Sequence, residues 1–199
     1  MKHIFKLMIL TGMACSSIAF GKTIPTEINT VTPKFDHLKT RGGECWVDSI
    51  ASNRPDAWRC KVGNFIFDPC FATSKEGFLL CDYNPPAHKE GFLLHLTKPL
   101  PAPTSMKTTQ VIPWLLQLAD GSICQKYTGT TPNTDKGAIP YYCVEKMKLP
   151  KNCDSGLIED SIKEGETWTV MKATYCSGEK VYPLKTKEVR TVDVLKVWQ

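Results

Sequence analysis

The chain has 199 residues, 42% hydrophobic and 23% charged, with nine cysteines and a formal net charge of +5. It is too apolar to be wholly disordered, too short for several large domains, and too cysteine-rich for a cytosolic protein kept reduced. Acidic and basic residues are interleaved with no run of five like charges, so neither a nucleic-acid partner nor a polybasic membrane patch is expected.

Residues 1–21 carry Lys2 and Lys6, then the apolar stretch Leu7 to Leu10, then the small-residue run Ala14 to Gly21. This is the pattern of a secretory signal peptide, with Ala19 and Gly21 at the −3 and −1 positions of the cleavage site. Cleavage there predicts a mature chain from Lys22 that is secreted or periplasmic. Losing Lys2 and Lys6 leaves 23 basic against 20 acidic residues, a net charge of +3. Gly12-Met13-Ala14-Cys15 offers a weaker lipoprotein alternative, with Cys15 lipidated, because Gly12 stands where such a box expects Leu. No stretch approaches the ~20 apolar residues of a membrane span, so no transmembrane segment is expected.

Residues 22–40 lack periodic apolar pattern and are expected to form an extended leader. A β-rich domain then runs over 41–199, and the first strand is predicted over Cys45 to Ile50. Ala57 to Val62 and Phe65 to Asp68 are alternating runs joined by Gly63-Asn64, the signature of a hairpin with a II′ turn. Counting from the turn sets Val62 opposite Phe65, Cys60 opposite Phe67 and Arg59 opposite Asp68. Trp58, Cys60, Val62, Phe65 and Phe67 then face the core, while Arg59, Lys61 and Asp68 face outward.

The six residues Lys75 to Leu80 recur as Lys89 to Leu94, which predicts two similar strands, Gly77 to Cys81 and Gly91 to Thr97, in one sheet. Lys98 to Pro103 is a stiff proline-rich connection between lobes of about 41–97 and 110–199. A second hairpin is predicted from Val111 to Tyr127, with Asp120-Gly121 in a type I′ turn and Leu118 opposite Ile123. Ile139 to Val144, Thr167 to Ala173 and Val189 to Trp198 complete the strands, and no stretch shows a capped helical stripe. The fold class is therefore all-β, a disulfide-stabilised sandwich or barrel-like domain built from hairpins.

Beyond Cys15 the cysteines are Cys45, Cys60, Cys70, Cys81, Cys124, Cys143, Cys153 and Cys176. Eight in an exported chain predict four disulfides, and pairing each with its nearest neighbour in sequence is the simplest of roughly 105 connectivities. Nine residues separate even the closest two, too many for zinc-ligand spacing, so no metal or other cofactor is expected. Full pairing also leaves no thiolate nucleophile.

The densest polar cluster runs from Asp48 to Cys60. Within it Arg54, Asp56, Trp58 and Arg59 are the candidate ligand-binding residues, since guanidinium groups grip anions and an indole stacks on a sugar ring. The plainer reading is a capped turn, in which Ser52, Asn53 and Pro55 shape the backbone and Arg59 pairs with Asp68. His88 and His95 invite a nuclease comparison, and Ser49 or Ser52 a hydrolase one, but no G-x-S-x-G, H-E-x-x-H or phosphate-loop spacing is present.

The stretch Cys45-Trp46, Ser49-Ile50-Ala51, Arg54 to Cys60, Gly63-Asn64 and Asp68 to Phe71 resembles a motif of uncharacterised exported bacterial proteins. Pro113-Trp114, Gln117 to Gly121, Cys124, Thr128-Gly129, Tyr142-Cys143 and Trp168-Thr169 resemble the rest of the same proteins. The likeness spans roughly Cys45 to Trp198 and implies kinship and export, with no activity to carry over. The expected function is a non-catalytic binding role at or outside the cell envelope, toward a glycan or a protein. The alternative is a small secreted hydrolase of glycans, phosphodiesters or esters using Asp56 with an arginine or histidine.

Overall fold

The structure, a computed structural model, describes residues 23–32, 37–103, 112–177 and 182–199. The expected signal peptide and Cys15 lie outside them. Fourteen strands are present among the described residues. They are β1 (Glu27–Asn29), β2 (Thr40–Asp48), β3 (Ala57–Val62), β4 (Phe65–Ala72), β5 (Phe78–Cys81), β6 (Phe92–Leu96) and β7 (Leu115–Leu118). Then follow β8 (Ile123–Lys126), β9 (Asn133–Thr134), β10 (Gly137–Ala138), β11 (Tyr141–Val144), β12 (Cys153–Leu157), β13 (Trp168–Cys176) and β14 (Lys185–Trp198). No α-helix occurs among the described residues, and the fold is all-β as expected.

Strands β2 to β6 follow one another round a closed five-stranded barrel. A meander alternates direction at each step, so an odd strand count makes first and last strands parallel where they meet. The closing pair β2 and β6 is indeed parallel, with Thr40 beside Leu93 and Gly43 beside Leu96. The second sheet runs β7, β8, β11, β12, β13, β14, and β14 returns to pair with β7. Six strands give an antiparallel closure, Trp198 opposite Leu115. Part of the extended leader, β1, adds in parallel to the end of β14. Each closed ring leaves no free edge for other chains to extend.

The four disulfides are Cys45–Cys60, Cys70–Cys81, Cys124–Cys143 and Cys153–Cys176, the nearest-neighbour pairing. Each joins residues directly opposite on neighbouring antiparallel strands. The pairing was legible because a meander makes sequence neighbours spatial neighbours.

The first hairpin turns at Gly63 (φ 58°) with the expected pairs Val62–Phe65 and Cys60–Phe67. The register then slips: Trp58 pairs with Cys70, so Asp68 and Pro69 together stand opposite Arg59. Proline has no N–H for the ladder, and a bulge accommodates it. The Asp68 side chain pairs with Arg59 as expected but is fully buried there rather than exposed on an outer face. Phe65, expected in the core, overhangs the barrel and is exposed.

The second hairpin departs by one residue. Leu118 N–H donates to the Ser122 carbonyl and Gly121 N–H to the Leu118 carbonyl, so the loop is Ala119-Asp120-Gly121, with Gly121 at φ 84°. This is a type I turn closed by a left-handed glycine rather than the expected two-residue I′ turn. Gln117, not Leu118, therefore faces Ile123. The Asp120 carboxylate fixes the turn by accepting from Ser122 N–H at 3.0 Å and Ser122 Oγ at 2.5 Å.

Four apolar clusters organise the core, the smallest being Ile139, Ile158, Ala173 and Tyr175. Trp58, Cys60, Leu79, Phe92 and Leu94 fill the first barrel, and Leu116, Leu118, Leu157, Val170 and Val194 fill the second. Val31, Ala51, Phe71, Leu80, Trp114, Leu115 and Trp198 form a third cluster drawn from both lobes, cementing them together.

Candidate functional site

Arg54 and Asp56 find each other. Arg54 Nε and Nη2 donate to the two Asp56 oxygens at 2.8 and 2.6 Å in a bidentate fork. The same guanidinium donates from Nη1 to the main-chain oxygens of Val31 (3.1 Å) and Gln199 (3.2 Å), and lies 4.7 Å from the Phe71 ring centroid. A planar cation with several donors suits such a junction. Arg54 thus ties the first barrel to the leader and to the end of β14, and both partners of the fork are occupied.

Trp58, a candidate stacking platform, is only 5% exposed and belongs to the first barrel's core. Trp46 is 42% exposed, with the Arg59 guanidinium 5.8 Å from its ring centroid. Arg59 donates to Asp68 Oδ2 at 3.2 Å and reaches across to the carbonyl of Thr128 in the second lobe at 2.6 Å. The candidate residues are thus close in sequence but divided in role: Arg54, Asp56 and Arg59 join the lobes, and Trp58 fills a barrel.

Asp68 leads from this seam to a cleft. Its carboxylate accepts from Ser49 Oγ, from Ile50 N–H and from Arg59. Burial pushes its pKa up, and the hydrogen bonds and the Arg59 charge offset this only in part. Lys126 across the seam is pushed down by burial, against the pull of Asp68. Beside them lies an inter-lobe cleft of about 360 Å³. Asp82, Tyr83 and Asn84 line it from the first lobe, and Trp114, Gln125 and Tyr142 from the second.

The cleft's polar groups are held in place. Tyr142 Oη donates to Gln125 Oε1 at 2.9 Å, which orients the Gln125 amide, and Lys89 Nζ reaches Asp82 Oδ1 at 2.7 Å. The Asn84 side-chain oxygen accepts from Ala87 N–H. Trp114 Nε1–H is buried with no hydrogen-bond partner among the described residues, an uncommon state for a buried donor. Sequence reasoning missed this cleft because Asp82 to Asn84 on one wall and Trp114, Gln125 and Tyr142 on the other come from segments far apart in the chain.

Two other clusters bear on chemistry. Lys172, 1% exposed inside the second barrel, contacts Asp120 Oδ2 (2.8 Å), Glu145 Oε1 (2.6 Å) and Ser122 Oγ (2.9 Å). Arg190 also pairs with Asp120 at 2.7 Å, and Ser155 Oγ donates to Glu145. Two cations thus face two carboxylates. Burial alone would raise the Asp120 pKa, but hydrogen bonds from Lys172 and Ser122 together with the Lys172 charge hold it down at about 2. In the first barrel the sulfurs of Cys60, Cys70 and Cys81 lie within 4.8 Å of one another, but as disulfide sulfurs they are not thiolate ligands.

His88 and His95 do not converge as a nuclease pair. His95 packs against Phe78, with centroids 4.8 Å apart, whereas His88 lines an open groove with His37, which itself meets Glu90 at 3.2 Å. No protein-family profile, no curated protein and no solved structure matches the chain.

Proposed function

We propose that this chain is an exported binding protein whose inter-lobe cleft receives a hydroxyl-rich ligand, an oligosaccharide of the cell envelope. The observation that carries this reading is the cleft's mixture of fixed acceptors (Asp82), amide groups (Gln125, Asn84) and aromatic rings (Tyr83, Tyr142, Trp114) at the seam of two cross-linked barrels. Sugars present donors and acceptors on their edges and C–H faces to aromatic rings, and such a lining answers both. The seam is rigid, because Arg54, Arg59 and the shared apolar cluster hold the lobes, so little ordering accompanies binding.

Export is supported by the Lys2 to Gly21 pattern and by four disulfides, which persist in an oxidising compartment. No helix among the described residues is long and apolar enough to cross a membrane. The resemblance to exported bacterial proteins belongs to the same proposal. Both Asp56 oxygens are engaged by Arg54, which disfavours the hydrolase alternative.

Titration of the oxidised protein with envelope oligosaccharide fragments, followed by amide NMR, tests the reading. Saturable shifts at Gln125, Tyr142 and Asn84 are expected, with affinity about tenfold weaker in Gln125→Ala, the worth of one hydrogen bond. Absence of shifts at the cleft, or release of cleaved products, overturns it. N-terminal sequencing of chain expressed with residues 1–21 checks export, with Lys22 as the expected first residue.

A further inference from the structure

We propose that the tip of the β3–β4 hairpin is a lipid-binding wedge that seats the protein on an anionic membrane surface. The tip carries Phe65 at 73% exposure and Ile66 at 55%, immediately after the Gly63-Asn64 turn. Neighbouring strand residues point to opposite faces, so this pair makes the hairpin apolar on both sides at once. Phe67, the next residue on the inner side, is covered, packing edge-on against Phe92 with centroids 4.9 Å apart. Phe65 continues that row toward the hairpin tip and stays largely exposed.

The two-sided exposure selects the occupant. A partner protein's surface covers one face of a hairpin and leaves the other wet, and strand addition is closed to a strand already paired within a sealed barrel. A lipid interface surrounds a wedge on every side. The charge behind the tip agrees in sign. On the outer face Ile66 pairs across the ladder with Lys61, and Lys61 and Lys98 share the single carboxylate of Glu44, at 2.8 and 2.5 Å. Two lysines on one glutamate leave a net positive charge level with Ile66 and one residue pair behind Phe65, so the leading ring meets acyl chains and the lysines meet anionic headgroups. Ile66 also lines the inter-lobe cleft whereas Phe65 does not, so Phe65→Ser alone separates loss of the wedge from a change in the cleft.

The test is co-sedimentation of the oxidised protein with vesicles of equal parts phosphatidylglycerol and phosphatidylethanolamine. The variants are Phe65→Ser/Ile66→Ser and, as a control, Met147→Ser/Tyr182→Ser, which removes exposed apolar residues elsewhere. Circular dichroism checks that each variant folds. The wild type is expected to pellet with vesicles, more weakly in high salt. The tip variant should lose binding about tenfold or more while the control binds like wild type. A wild type that stays in the supernatant, or a tip variant that binds equally well, overturns the proposal. So does a wild type that ignores vesicles but self-associates through the tip in analytical ultracentrifugation, which would assign the wedge to a second copy.

Discussion

Arg54 contacts Asp56, Val31, Gln199 and Phe71 at once, so its truncation removes one group from four partners. Arg54→Ala is expected to lower stability by about 2 kcal/mol, a fall in the thermal midpoint of roughly 4–8 °C for a chain of this size. Calorimetry of the oxidised protein checks it, and an unchanged midpoint would return Arg54 to the pool of ligand-binding residues. Lys172 is the more severe case. Lys172→Met leaves Asp120 and Glu145 facing each other without their shared cation and should cost about 3 kcal/mol or more. The same group sets a pH dependence. The folded pKa of Asp120 lies below its ordinary value, so its contribution is fully present above about pH 4 and is lost as the pH falls toward about 2. Asp68 runs the other way: its raised pKa favours the folded state at low pH and works against it as the pH rises through the folded pKa. Denaturant titrations across the acid range should show a steeper acid loss in wild type than in Asp120→Asn.

The repeated six residues offer a controlled comparison at the level of elements. Both repeat glycines have positive φ, Gly77 at 78° and Gly91 at 82°, and both begin strands that pair with each other. A Cβ on Gly77 meets nothing within 4 Å, whereas one on Gly91 would stand 2.3 Å from the Cys81 carbonyl oxygen. Gly77→Ala should therefore cost about 1 kcal/mol, the left-handed backbone alone, and Gly91→Ala clearly more. Equal losses in chemical denaturation would contradict the packing around Gly91. The comparison also shows what sequence can carry. Identical hexapeptides announced two strands in one sheet, and turn glycines located both hairpins, because those signals are local. Register escaped wherever a bulge intervened, at Asp68-Pro69 and at Ala119-Asp120-Gly121. Strand β12 escaped because Cys153 to Leu157 carries little β-branched pattern. The candidate residues Arg54 and Asp56 were visible, but their engagement with Gln199 and Val31 joins segments far apart in sequence, and no spacing rule reaches that far.

For the molecule as a whole, the disulfides staple alternate neighbours: β2 to β3, β4 to β5, β8 to β11 and β12 to β13. Each closes a short loop, with separations of 11 to 23 residues, worth about 3 kcal/mol in the chain-entropy account. Full reduction is expected to unfold both lobes, seen as loss of the near-ultraviolet tryptophan signal on adding reductant. No staple crosses either closing seam, β2 with β6 or β7 with β14. Strand parity makes those seams respond differently to mechanical load. In the parallel seam, tension applied where β2 begins and β6 ends shears every hydrogen bond together. In the antiparallel seam, the start of β7 and the end of β14 lie side by side, so the same tension peels the bonds apart one at a time. Stretched between its ends, the second barrel should open at the lower force, while the first holds as the anchor.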